Sequence, residues 1–111
     1  MHMGSMAIVA SKSPANYVHV VFNNGAHDSV GGQPTVGLKI DLPAVAKAVG
    51  YRDALSADSK ESLADALGTL RNLEGPVLLE VQVKKGNRKD LGRPTTTPIE
   101  NKNALMEFLR K

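Results

Sequence analysis

The sequence predicts an α/β fold of three αβα layers, with a mostly parallel sheet between helices. Three observations lead there. Helical and strand-like stretches alternate along the 111 residues, the order a chain takes when each strand returns parallel to the last through a helix. Two apolar runs, Tyr17–Phe22 and Val77–Val83, are rich in β-branched residues and begin after prolines. Near-continuous apolarity is what a strand covered on both faces requires. A glycine-rich stretch, Asn23 to Gly37, follows the first run at once. In open α/β sheets ligands bind in the crevice outside the carboxyl ends of the strands, where such a loop would lie.

Element by element, Met6–Ala10 and its flanks suit a short helix that ends before Ser13-Pro14. Tyr17–Phe22 reads as a buried strand between Pro14-Ala15-Asn16 and Asn23-Asn24-Gly25. Asp41 caps the next helix, Pro43 falls in its first turn, where proline is tolerated, and Gly50 ends it. Leu42, Val45, Ala46 and Val49 form its apolar face. Tyr51–Ser56 is a weak strand. Asp58-Ser59-Lys60-Glu61 resembles a capping box and opens a clearer helix with Leu63, Ala66, Leu67 and Leu70 on one face.

Gly75-Pro76 breaks the chain before the second strong strand. Lys84–Thr97 is a basic loop containing glycine and proline. Thr97-Pro98-Ile99-Glu100 supplies a cap, a proline at the first position and a glutamate at the third. Ile99, Ala104, Leu105, Phe108 and Leu109 are expected on the inner face of the last helix, and Leu105 and Phe108 in the core. The chain opens on a helix with no strand before it, and three strands make a thin sheet with one exposed edge. Residues 1–111 are therefore expected to be the incomplete C-terminal part of a larger domain.

Composition narrows the function. A hydrophobic fraction of 41% with 23% charged residues describes an ordinary globular segment. No cysteine is present, which excludes disulfides and thiolate metal sites. No apolar run approaches the roughly 20 residues of a membrane span, and Met1–Met6 lacks the features of a secretory signal. No membrane partner is expected, and the cytoplasm is the default location. The net charge of +3 is mild, but Lys84, Lys85, Arg88, Lys89 and Arg93 are concentrated together. That cluster suits a solvated loop or a surface for a phosphate, phosphonate or nucleic acid; the solvated loop is favoured, and nucleic acid is not expected as a partner. His2, His19 and His27 have no metal-site spacing, and no P-loop or dinucleotide fingerprint is present.

Asn23-Asn24 carries the most information. A carboxamide at a strand end offers a neutral oxygen to a hard cation and an N–H₂ to a phosphate; its bland alternative is a strand-ending turn. The motif continues through Gly25-Ala26-His27-Asp28-Ser29-Val30-Gly31-Gly32-Gln33-Pro34-Thr35. This stretch, with Asp90-Leu91-Gly92-Arg93-Pro94-Thr95-Thr96-Thr97-Pro98-Ile99-Glu100-Asn101-Lys102, resembles the phosphonopyruvate decarboxylases, a family of thiamine-diphosphate-dependent 2-oxo acid decarboxylases. Sulfopyruvate decarboxylases and, more remotely, acetolactate-synthase-like carboligases are similar. In this superfamily the cofactor motif opens with Gly-Asp-Gly and closes with Asn-Asn; the opening half is absent here. Family spacing puts it just before Met1, and Met1–Ser5 is read as native sequence rather than a cloning scar.

The resemblance implies thiamine diphosphate and Mg²⁺ as cofactors. It makes the Asn24 carboxamide and the Ala26 backbone carbonyl the Mg²⁺ ligands, and Asn23, Asn24, Gly25, Ala26, His27 and Ser29 the cofactor contacts. Gly25 lets the chain turn between the two metal ligands. Gln33 and Thr35 are candidates to close over the diphosphate, with Gly31-Gly32 as a hinge. Asn23 is expected to brace the loop, and His27 and Asp28 either do so or contact the substrate. Arg88 and Arg93 are candidates for a phosphonate, since guanidinium forks match that group; an exposed loop is the alternative. The implied reaction converts phosphonopyruvate to phosphonoacetaldehyde and CO₂ in a homo-oligomer. The activating glutamate and a missing N-terminal domain lie outside this chain, which is expected to be inactive alone. The reading from another class is a non-catalytic binding or interaction module.

Overall fold

A computed structural model describes residues 2–110. The order of main elements is the expected one: α1 (Gly4–Lys12), β1 (Val18–Asn23), α2 (Leu42–Val49), β4 (Asp53–Ala57), α3 (Lys60–Leu70), β5 (Val77–Gln82) and α4 (Pro98–Leu109). Between β1 and α2 the loop forms a two-residue hairpin, β2 (Ala26–His27) with β3 (Gln33–Pro34), and two 3-10 turns. Met1 and Lys111 fall outside the described residues, and with Met1 the first residue of the Met1–Ser5 segment. No helix among the described residues is long and apolar enough to cross a membrane.

The helix ends follow the local chemistry. Asp41 Oδ1 accepts the Ala44 N–H at 2.9 Å, and Gly50 closes α2 at φ 108°, which only glycine adopts without strain. At α3 the cap is Ser59, but its reciprocal partner is Ser62, not Glu61: Ser59 Oγ accepts the Ser62 N–H and Ser62 Oγ accepts the Ser59 N–H, each at 3.1 Å. Thr97 and Glu100 form the expected box on α4. The Thr97 N–H and hydroxyl hold the Glu100 carboxyl below the usual carboxylate range.

The sheet is wholly parallel in the order β1-β5-β4, so the last strand is central. Val18 pairs with Val77 and Asn23 with Gln82 on one side; Asp53 pairs with Val77 and Ala57 with Val81 on the other. Strand alternation sends Val77, Leu79 and Val81 to one face, against Ala57, Ala66 and Leu70. Leu78 goes to the opposite face, against Met6, Ala46, Tyr51 and Ala54. α1 and α2 thus cover one face and α3 the other, which makes the three layers.

Two expectations fail on burial. β1 is an edge strand rather than a buried one, because α3 does not reach over it: Val18, Val20 and Phe22 face α3's side and remain exposed, Phe22 at 72%. Every residue from Gln82 to Arg110 is exposed. Ile99, Leu105, Phe108 and Leu109 therefore form no inner face, and Leu105 and Phe108 are not core. An amphipathic pattern says that a helix has an apolar side; it does not supply the surface to cover it. Leu67, placed on the apolar face of α3, is likewise 47% exposed, while Ala66 and Leu70 are buried.

Candidate functional site

A cleft of about 760 Å³ opens beyond the carboxyl end of β1. Its floor is Met6, His19, Val21 and Leu78; one wall is Asn23 to His27, and the facing wall runs from Pro34 to Gly37. Its position is where an open α/β sheet binds ligands.

Asn23, the last residue of β1, is buried and makes three hydrogen bonds. Its Nδ2 donates to Glu80 Oε1 at 2.6 Å and to the Gly37 carbonyl at 2.9 Å, while Oδ1 accepts the Gly25 N–H at 3.1 Å. These contacts brace the loop. Glu80 is the residue that sequence reasoning missed. It is 4% exposed on the central strand, and a glutamate inside an apolar run is the signal that a buried partner exists.

Asn24 is half-buried and lines the cleft. Its Oδ1 accepts the Ala26 N–H at 3.0 Å, and its Nδ2 donates to Asp28 Oδ2 at 2.8 Å. Between them Gly25 stands at φ 67°, and a Cβ there would lie 2.6 Å from Leu38 Cδ1. The backbone angle favours glycine, whereas the exposed Leu38 side chain could swing aside. Ala26 then enters the hairpin opposite Pro34. The Gly25 and His27 carbonyls accept N–H groups of Thr35 and Gly32, both at 2.8 Å. Alternation along an extended chain therefore turns the intervening Ala26 carbonyl away from the hairpin ladder.

Other candidates fall into two groups. His27 and Thr35 line the cleft; Ser29, Gln33 and the Gly31-Gly32 pair do not. Asp28 stands behind Asn24, where its Oδ2 also accepts the Gly86 N–H at 3.0 Å. Lys85 Nζ donates to the Gly32 carbonyl at 2.7 Å, so the segment after β5 is tied to the loop at two points. Arg88 and Arg93 are not brought to the cleft: both lie in the exposed segment, and Arg88 Nε pairs with Asp90 Oδ1 at 3.3 Å. His19 is satisfied structurally, sharing a 3.1 Å hydrogen bond with the Tyr51 hydroxyl. Burial, and next the neighbouring Tyr17, raise the Tyr51 pKa. No group of three or more His, Asp or Glu among the described residues is placed to hold a metal alone.

Residues 1–81 match the family described as thiamine pyrophosphate enzyme, C-terminal TPP binding domain. The chain is 46% identical to a phosphonopyruvate decarboxylase of Streptomyces viridochromogenes over 98% of its length and 28% of that protein's. It is 42% identical to one from Streptomyces hygroscopicus, over 97% of this chain and 27% of the relative. Sulfopyruvate decarboxylase subunit beta of Methanothermobacter thermautotrophicus is 34% identical over 78% of this chain and 44% of its own. The chain thus spans just over a quarter of the phosphonopyruvate decarboxylases it matches.

Proposed function

Because the chain belongs to the thiamine pyrophosphate enzymes, as their C-terminal TPP-binding domain, we propose that it forms the diphosphate- and Mg²⁺-holding part of a phosphonopyruvate decarboxylase, a carbon–carbon lyase. The observation that carries this reading is Asn24 on the cleft wall, with Ala26 two residues on and its carbonyl turned out of the hairpin.

The donor set fits the cation. Mg²⁺ takes hard oxygen ligands and keeps water and phosphate oxygens among them. Asn24 Oδ1 carries two lone pairs, one engaged by Ala26 N–H; the second is available, as is the Ala26 carbonyl. No carboxylate lines the cleft among the described residues, so a third, anionic protein ligand comes from outside them. Thiamine diphosphate, when bound, supplies the electron sink that lets a 2-oxo acid lose CO₂.

This chain's residues bind and orient. Asn23 fixes the turn by anchoring it to Glu80, and Gly25 lets the two ligand groups approach from one side. His27 and Thr35 furnish the polar contacts on opposite walls. Met6, Val21 and Leu78 make most of the floor apolar, which lowers the local dielectric and strengthens polar contacts above it. Phosphonopyruvate is favoured over sulfopyruvate as the acid because the relatives named for it are more similar, 42–46% against 27–34% identical. Arg88 and Arg93 reach a substrate phosphonate only if their exposed segment folds over the cleft. The assembled enzyme is a cytoplasmic homo-oligomer in which a further domain supplies the remaining site residues.

The test is titration of the chain with Mn²⁺ and thiamine diphosphate, read by paramagnetic broadening of NMR signals. Asn24 and Ala26 are expected to broaden first; broadening centred elsewhere overturns the reading. CO₂ release from phosphonopyruvate and from sulfopyruvate, assayed on the protein that carries this chain with its remaining domains, decides the acid.

A further inference from the structure

A carboxamide has two unlike ends. Its oxygen attracts a cation and its N–H₂ repels one, and rotation about the last side-chain bond exchanges them. A ligand asparagine is useful only if something fixes which end faces the metal. In this chain two contacts agree. The Ala26 N–H, which can only donate, meets Oδ1, and the Asp28 carboxylate, acceptor-only when ionised, meets Nδ2. A hydrogen bond to a carboxylate is also the stronger kind.

Asp28 has its own anchor. The oxygen that accepts from Asn24 at 2.8 Å also accepts the Gly86 N–H at 3.0 Å, from the segment leaving β5. Lys85, one residue earlier, donates to the Gly32 carbonyl, two residues beyond the turn that Asp28 begins. The carboxylate is therefore held between the carboxyl ends of two adjacent strands.

We propose that Asp28 is a positioning residue: its carboxylate holds the Asn24 carboxamide nitrogen, leaving the carboxamide oxygen to the cation, and Gly86 holds the carboxylate in turn. The inference rests on the reading of Asn24 as a metal ligand. Groups that orient a metal ligand typically change metal affinity by about 10- to 100-fold when removed.

The experiment uses the whole chain and two readouts. The first needs no metal: hydrogen exchange of the Asn24 side-chain amide, expected to be several-fold slower than that of exposed Asn103. The second is the Mn²⁺ concentration, at fixed thiamine diphosphate, that half-broadens the Ala26 signal. Asp28→Ala is expected to bring Asn24 exchange to the Asn103 rate and to raise the half-broadening concentration about 10-fold or more. Asp28→Asn keeps an acceptor oxygen and is expected to recover most of both. Lys85→Met, which loosens the same loop without touching Asn24, is expected to leave both near wild type.

Unchanged exchange and broadening in Asp28→Ala, with wild type broadened at Ala26, overturns the positioning role and leaves the site reading intact. An equal loss in Lys85→Met overturns it too, since loop order alone then explains the effect. No broadening at Asn24 or Ala26 in folded wild type removes the site reading, and the inference with it.

Discussion

The carboxamide of Asn23 and the carboxyl of Glu80 meet inside the protein, Nδ2 to Oε1 at 2.6 Å, and join the end of the edge strand to the central one. Both residues are buried. A buried polar group whose partner is removed costs about 1–3 kcal/mol. Asn23→Ala, which strands Glu80 and releases Gly25 and Gly37, is expected to destabilise the fold by about 2–3 kcal/mol in urea unfolding. Glu80→Gln can still present an oxygen to Asn23 and is expected to cost less than half as much. Equal costs for the two would show that the pair is not what holds this corner.

Gly75 predicts a packing effect with no chemistry attached. A Cβ there would meet Tyr17 O at 2.5 Å, Tyr17 N at 2.7 Å and Pro14 O at 2.8 Å, all backbone atoms that cannot swing aside. Overpacking typically costs about 1–3 kcal/mol, occasionally more. Gly75→Ala is expected at the upper end, whereas Gly68→Ala, with open space around it, should be neutral or stabilising by under about 1 kcal/mol. Thermal unfolding of the two variants separates them.

Lys47 and Asp53 give a pH dependence with a definite sign. Hydrogen bonds from the Lys47 ammonium, at 2.9 Å, and from the Ala54 N–H hold the Asp53 carboxyl below its usual range. A carboxyl depressed on folding adds stability above its unfolded pKa of about 3.9 and loses it as pH falls through the lower folded value. Lys47 is more than half exposed, so the pair is worth only about 0.2–1 kcal/mol. Lys47→Met should remove that amount at pH 7 and nothing near pH 2. A loss of the same size at both pH values would show that the charge pairing is not its source.

Uncovered apolar surface predicts self-association. Val18, Val20 and Phe22 on β1, and Ile99, Phe108 and Leu109 on α4, all face solvent, and a free sheet edge beside apolar side chains invites pairing. Sedimentation of the chain is expected to show concentration-dependent oligomers, reduced in Phe22→Ser and Phe108→Ser. A monomer at high concentration refutes it.

On the proposed reading the isolated chain is expected to be inactive and to bind thiamine diphosphate with Mg²⁺ weakly, since Asn24 and Ala26 offer the cation only neutral oxygens. Micromolar affinity in calorimetry would contradict this.

Much of this architecture was legible because local rules and tertiary structure agree. Asp41 with Gly50, and Thr97 with Glu100, mark helix ends that the fold keeps, and the alternation of elements yields the parallel sheet. The cleft was legible at Asn23-Asn24, where a strand end and a carboxamide pair coincide, and both residues line it. Burial was not legible. Tyr17–Phe22 has the composition of a doubly covered strand, yet coverage depends on how far neighbouring layers extend. Leu105 and Phe108 fail for the same reason. The pairing of Glu80 with Asn23 was hidden because they lie 57 residues apart, and that of Asp28 with Gly86 because they lie 58 apart; neither distance has a periodic trace. Arg88 and Arg93 suit a phosphonate by the geometry of their guanidinium forks, but that geometry places no residue at a cleft, and both lie in the exposed loop that was the alternative.

The strand order also bears on how the chain acquires its shape. Among the described residues β1 pairs with β5 alone, Val18 beside Val77, so this pairing waits until β5 has been made. Such distant pairings close late and slowly. During synthesis β1 leaves the ribosome well before β5, and the edge that β5 will pair passes that interval open to aggregation or chaperone capture.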